Sequence, residues 1–168
     1  DPITVVLSEK GWIRAAKGHE LDPQTLSYKS GDAFKLAARG RSNQPAVIID
    51  STGRAYTVPT HNLPSARGQG EPLTGRINPP SGASFEGLLV GDGDRRCLLA
   101  SDAGFGFVTT LGELHAKNRA GKAALTLPAG ARVVAPVLLA ENATEVAAVS
   151  NEGRLLIFSL ADLPSLSR

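Results

Sequence analysis

The sequence predicts an all-β fold built of repeated blades set around an axis. Three observations carry that prediction. Four short apolar runs each end in a glycine-bearing turn and restart as a second apolar run. A leucine stands ten residues after each of those four glycines. Helix has little room, because no long stretch shows a 3.6-residue period and 18 glycines with 11 prolines punctuate the 168 residues.

The first turn, Ser8-Glu9-Lys10-Gly11, lies between Val5-Val6-Leu7 and Trp12-Ile13. The second, Asp50-Ser51-Thr52-Gly53, lies between Val47-Ile48-Ile49 and Ala55-Tyr56. The third, Ser101-Asp102-Ala103-Gly104, joins Leu98-Leu99-Ala100 to Phe105-Gly106-Phe107-Val108. The fourth, Ser150-Asn151-Glu152-Gly153, joins Ala147-Ala148-Val149 to Leu155-Leu156-Ile157-Phe158. Ser or Asp at the start of a turn bonds back to the nearby backbone, and glycine closes the turn without steric cost, so each unit reads as a β-hairpin. The glycines recur at spacings of 42, 51 and 49 residues, and the leucines are Leu21, Leu63, Leu114 and Leu163. After Leu63 and Leu114 come basic, glycine-bearing loops, then a proline-glycine turn (Pro80-Ser81-Gly82-Ala83; Pro128-Ala129-Gly130-Ala131) and a strand leading to the next hairpin. The first repeat lacks part of this second half, and the fourth stops at Arg168 where its basic loop is due.

A period of 40–50 residues with about four short strands per unit is that of blades that bury their faces against their neighbours. The repeats run over 4–45, 46–96, 97–145 and, in part, 146–168. Three and a half repeats give an open or incomplete ring, with an apolar blade face expected at its C-terminal end.

Composition narrows the function classes. Hydrophobic residues make up 42 %, enough for a packed core. No apolar run reaches the roughly 18 residues of a membrane helix. A lone cysteine, Cys97, can form no internal disulfide, as in a reducing cytoplasm. The absence of methionine and the opening Asp1-Pro2 read as a piece of a longer protein. His19, His61 and His115 occupy three different repeats without ligand spacing, so no metal is expected. Asp92-Gly93-Asp94 lacks the later glycine and glutamate of a calcium loop and reads as a hairpin turn. Arg119-Ala120-Gly121-Lys122 lacks the first glycine and the Ser/Thr of a phosphate-binding P-loop. No nucleophile elbow is present. Tyr28, Tyr56, Trp12 and the phenylalanines read as packing residues.

Charge is what remains. The net charge is only +2, yet residues 10–76 carry +5, and from His115 to Arg132 four bases meet no acid. Such patches can hold a polyanion on a nearly neutral molecule. Glycine lets a backbone approach a phosphate, and arginine offers a planar, permanently charged fork. Repeated once per blade, these loops would set cations along a curved rim. Arg67, Lys117, Arg119 and Lys122 are the main candidates, with Arg14, Lys17, Arg39, Arg41, Arg54 and Arg76 as further rim residues. Each would contact the DNA backbone without reading its sequence. The competing classes are a blade-type protein-interaction module without DNA affinity and an enzyme with a site near the axis. The latter would need clustered carboxylates or histidines.

Several runs carry a family resemblance. They are Val6-Leu7-Ser8 with Gly11-Trp12 and Lys17-Gly18-His19, Ser65-Ala66-Arg67-Gly68-Gln69-Gly70-Glu71-Pro72-Leu73-Thr74-Gly75, Ser101-Asp102-Ala103-Gly104, and Asn118-Arg119-Ala120-Gly121-Lys122. In order and separation they resemble the C-terminal domains of the ParC family, the A subunits of bacterial DNA topoisomerase IV, over essentially the whole chain. The resemblance implies a β-pinwheel, in which neighbouring blades of antiparallel strands exchange a strand. It implies binding and bending of double-stranded DNA, and help in choosing the segment for decatenation and supercoil relaxation. Arg67-Gly68-Gln69-Gly70 and Arg119-Ala120-Gly121-Lys122 resemble degenerate forms of the basic box with which the related gyrase domain wraps DNA, so bending is implied rather than strong chiral wrapping. The cleavage tyrosine of the family belongs to a preceding domain and matches no residue here, so no catalysis is expected of this chain alone. No cofactor is implied for this domain; ATP and Mg2+ belong to other domains of the holoenzyme. The protein partners implied are the rest of the A subunit, and through it the B subunit, with no membrane, in the bacterial cytoplasm at the nucleoid. The isolated piece is expected to be a monomer followed in full-length relatives by further blades.

Overall fold

In the computed structural model the described residues are 2–18, 20, 22–101, 106–116, 118–125, 133–138, 145–149 and 155–159. Strand β1 (Pro2–Ser8) turns at Ser8–Gly11 into β2 (Trp12–Lys17), with Leu7 opposite Ile13. Strand β3 (Phe34–Arg41) pairs with the other edge of β1. The second hairpin joins β4 (Ala46–Asp50) to β5 (Arg54–Val58). It is followed by a two-residue strand, β6 (Glu71–Pro72), and by β7 (Phe85–Val90), which pairs with β4. The third hairpin joins β8 (Arg96–Ser101) to β9 (Gly106–Thr110). After it come the four-residue helix α1 (Leu111–Leu114), the short β10 (Lys122–Ala123) and β11 (Val133–Leu138), paired with β8. Strands β12 (Glu145–Val149) and β13 (Leu155–Ser159) form the fourth hairpin. The four hairpins therefore form where the repeats place them.

Strand order shows the exchange between blades. The first sheet runs β3-β1-β2-β6 and the second β10-β5-β4-β7. Strand β6 follows the second hairpin yet pairs with β2 of the first blade, and β10 follows the third hairpin yet pairs with β5 of the second. Each donated strand covers an edge whose backbone groups would otherwise lack partners.

Alternation then decides which faces meet. Ile3, Val5, Leu7 and Ile13 of the first blade pack against Ile48, Tyr56, Leu88 and Val90 of the second, with Leu63 beside them. The opposite face of the second blade, Val47, Ile49, Ala55 and Leu89, packs against Cys97, Leu99, Phe107 and Leu114. Full burial of one such aliphatic side chain is worth about 1.5–3 kcal/mol, so the interfaces between blades are the core. Burial pushes the Cys97 thiol up to about 12, which leaves it a packing residue.

The hairpin turns use their first residue as expected. The Ser8 hydroxyl accepts from the Trp12 amide at 3.1 Å, and Gly11 takes φ +84°. The buried Asp50 carboxylate accepts from the Thr52 amide, the Thr52 hydroxyl and the Arg54 amide, and Gly53 takes φ +87°. Its second oxygen accepts from the Tyr56 hydroxyl at 2.5 Å. Burial first, and then this bond to Asp50, push the Tyr56 phenol well above its ordinary value. Ala83 donates to Pro80 with Gly82 at φ +81°, a turn of the expected kind. Residues 102–104, 128–131 and 150–153, with Leu21 and Leu163, lie outside the described residues. So does the apolar face expected at the C-terminal end.

Two expectations change. Asp92-Gly93-Asp94 does form a turn, with Arg95 donating to the Asp92 carbonyl, but β7 and β8 on either side of it belong to different sheets. It links blades and is not a hairpin. The shortened first repeat also has a use. Its stretch 22–33 lies over the far face of its own blade, where Tyr28 stacks on Arg14 at 4.7 Å and Lys29 on Trp12 at 3.5 Å.

Strands β3, β7 and β11 are the edges at which successive blades come together. Gly40 lies against Val90, and Gly87 against Pro136, so closely that a Cβ at either would overlap the neighbour. Gly87→Ala should wedge β7 from β11 and destabilise the fold by about 1–3 kcal/mol, read as a lowered thermal midpoint. An unchanged midpoint would show that β7 and β11 do not meet there.

Candidate nucleic-acid interface

Strands that converge from blade to blade mark the inner edge, so β6 and β10, at the opposite edges of their sheets, mark the outer one. The basic loops run directly into those two strands. Loop 64–70 is tied to β2: Ala15 donates to Pro64, and Ala66 donates to Ala15, each at 2.9 Å. Loop 115–121 is tied to β5, with the Ala116 amide donating to the Thr57 hydroxyl at 2.9 Å. At the end of each loop stands a glycine with positive φ, Gly70 at +88° and Gly121 at +76°. A Cβ there would lie 2.5 Å from the Ile13 carbonyl oxygen and 2.6 Å from that of Ala55, respectively. These two glycines bring each loop onto the blade before its own, a use the sequence pattern had assigned to a phosphate.

The ten candidate cations divide by what holds them. Arg67 is exposed on the first loop, and with Lys17 it lines an open groove of about 910 Å³ that His61 also borders. Arg119 is exposed on the second loop; its Nη2 donates to the Gly75 carbonyl at 2.9 Å, while its own carbonyl accepts from the Asn78 amide at 2.7 Å. Loop 115–121 is thereby tied to the segment just after β6, the strand into which loop 64–70 runs. Lys122 is half-buried and donates to the Glu113 carbonyl at 2.6 Å. Arg76 is half-buried, paired with Glu71, and donates to the side chain and carbonyl of Asn62. Lys117 lies outside the described residues.

Four of the expected rim positions prove different in kind. Arg14 is only 2 % exposed, because its strand register turns it under Tyr28, and its Nη1 donates to the Gly68 carbonyl at 2.6 Å. Arg54 is half-buried and donates from Nε and Nη2 to Ala120, and from Nη2 to Gly121. Arg39 and Arg41 are exposed but stand on β3, an inner-edge strand, on the face turned away from the second blade. The outer edge therefore gathers Arg67, Lys17 and Arg119, backed from beneath by Arg14 and Arg54.

His115 opens the second loop, half-buried, with Nε2 enclosed and without a partner. Burial lowers its pKa from the ordinary value. The folded chain thus binds this proton less readily than the unfolded chain, so stability is full above the unfolded pKa of about 6.5 and falls as pH drops below it. His115→Gln should flatten that part of the pH–stability curve between about pH 7.5 and 5.5. An identical curve in the variant would remove His115 from the account.

Comparisons with known proteins point to one family and fold. The family described as DNA gyrase C-terminal domain, beta-propeller, matches residues 96–139 and 144–168. The A subunit of DNA topoisomerase 4 from Pseudomonas aeruginosa is 60 % identical over 169 residues, covering 100 % of this chain and 22 % of the relative. The chain therefore spans about a fifth of that protein's length. The solved structure of the E. coli ParC C-terminal domain superposes with a TM-score of 0.90 at 51 % identity, covering 100 % of this chain and 69 % of that one. A DNA gyrase A C-terminal domain superposes with a TM-score of 0.72 at 17 % identity, covering 100 % and 58 %, a likeness of fold.

Proposed function

This chain belongs to the family of ParC C-terminal domains, which are part of the topoisomerase IV A subunits, and we propose that it holds duplex DNA against its outer edge by sequence-independent contacts to the phosphates, without cutting it. Arg67 and Arg119 carry the proposal, being exposed on the successive loops that run into β6 and β10 at the outer edge, where hydrogen bonds tie the second loop to the segment just after β6. A duplex laid on two cationic points of a curved edge is pulled into a bend. Within the whole enzyme, where the B subunit joins in the bacterial cytoplasm, that bend would bias which DNA segment is passed during decatenation and supercoil relaxation. Among the described residues no helix is long and apolar enough to cross a membrane.

The proposal sets a salt dependence. Each phosphate neutralised releases counterions, so with about four or five contacts the affinity for linear duplexes should fall on the order of 10²–10³-fold between about 50 and 200 mM salt. Duplexes of unrelated sequence should behave alike. A flat salt response, or negligible binding at the lower salt, would instead favour a protein-interaction module.

A further inference from the structure

We propose that Arg14 and Arg54 are positioning residues for the two outer loops, holding their carbonyl oxygens inward and away from an approaching phosphate. The inference rests on the DNA-holding function proposed above and adds how the loops are set for it. Arg14, on β2, donates to the Gly68 carbonyl, and Arg54, on β5, donates to those of Ala120 and Gly121. In each blade one strand arginine thus reaches the main chain of the loop just before its positive-φ glycine or at it.

The two clamps are not copies of one position. Trp12 lies opposite Pro72 of the first donated strand, and Arg54 lies opposite Ala123 of the second, so Arg54 is the counterpart of Trp12. Arg14 is the counterpart of Tyr56, one residue beyond Ala55, since Ile13 lies opposite Glu71 and Ala55 opposite Lys122. Two different strand positions deliver a guanidinium to the same stretch of loop. A carbonyl oxygen facing a phosphate is repulsive, and a charge-assisted bond from beneath both orients it and offsets its dipole. The cation stays under the loop and adds to the potential above it. It sheds no counterion of its own on binding, because it touches no phosphate.

The test compares Arg54→Lys, which keeps the charge and loses the fork, with Arg54→Gln in the full chain. Amide exchange without DNA should rise about tenfold at Gly121 in both variants while Ile48, at the centre of β4, is unchanged. Affinity for a linear duplex should fall about tenfold in both. The slope of log affinity against log salt in Arg54→Gln should match the unsubstituted chain, whereas loss of a direct contact lowers it by about 0.9. The proposal is overturned by unchanged exchange at Gly121, by an equal rise at Ile48, which would make the arginine a support of the whole blade, or by a lowered slope in Arg54→Gln with normal binding in Arg54→Lys. If the unsubstituted chain binds no DNA, the DNA-holding function fails while exchange at Gly121 still decides whether the clamp exists.

Discussion

Reversing the charge of Arg67 and Arg119 together, as Glu, should weaken duplex DNA binding on the order of 10²-fold, each lost charge-assisted contact contributing about 1.5 kcal/mol or more. The loss should be uniform across sequences, because both side chains sit on loops at the outer edge and neither belongs to an element shaped to enter a groove. The salt slope should drop by about 1.8, the share of two phosphates. Stability should scarcely change for Arg67, which is exposed. Arg119 gives up a bond to the Gly75 carbonyl, a modest cost at an exposed site. A loss confined to one sequence, or an unaltered salt slope, would mean that these loops are not where the backbone lies.

Asp50→Ala should be the most damaging of the substitutions considered for the fold, at about 3–5 kcal/mol. The carboxylate is fully buried and accepts four hydrogen bonds, from the Thr52 amide and hydroxyl, the Arg54 amide and the Tyr56 hydroxyl. Alanine removes every acceptor at once and leaves the Tyr56 hydroxyl buried without its partner. For a chain of this size each kcal/mol moves the thermal midpoint by about 2–4 °C, so the expected drop is about 6–20 °C. Asp50→Asn keeps one acceptor oxygen for the turn and should lose less. The substitution also shifts Arg54, whose amide the carboxylate fixes, so loosening of loop 115–121 should accompany the loss of stability. A midpoint within about 2 °C of the unsubstituted chain would show that the turn does not depend on this carboxylate.

Hairpins were legible because their signals are local. Ser8 and Asp50 bond within four residues along the chain, and Gly11 and Gly53 close the same turns. The donated strands were not legible from periodicity. Glu71–Pro72 and Lys122–Ala123 are two residues long, too short for any alternation, and their partners lie more than fifty residues back in sequence. Only the family resemblance foretold an exchange. The basic residues were legible as a set but not one by one. Arg39 and Arg67 look alike in composition, yet strand order places the first on the inner edge and the second on the outer. Arg14 reads as one more rim cation until pairing with Val6 places it on the face that Tyr28 covers. Strand register, which turns every side chain to one face or the other, is set by tertiary pairing and not by the residue itself.

The central claim is that the duplex lies along the edge formed by the loops before β6 and β10. Amide exchange with and without a duplex of about 30 base pairs tests it directly. Protection should appear over 64–70 and 115–121 and leave β3 and β7 unchanged. Protection centred on β3 around Arg39 and Arg41, with the two loops unaffected, would contradict it.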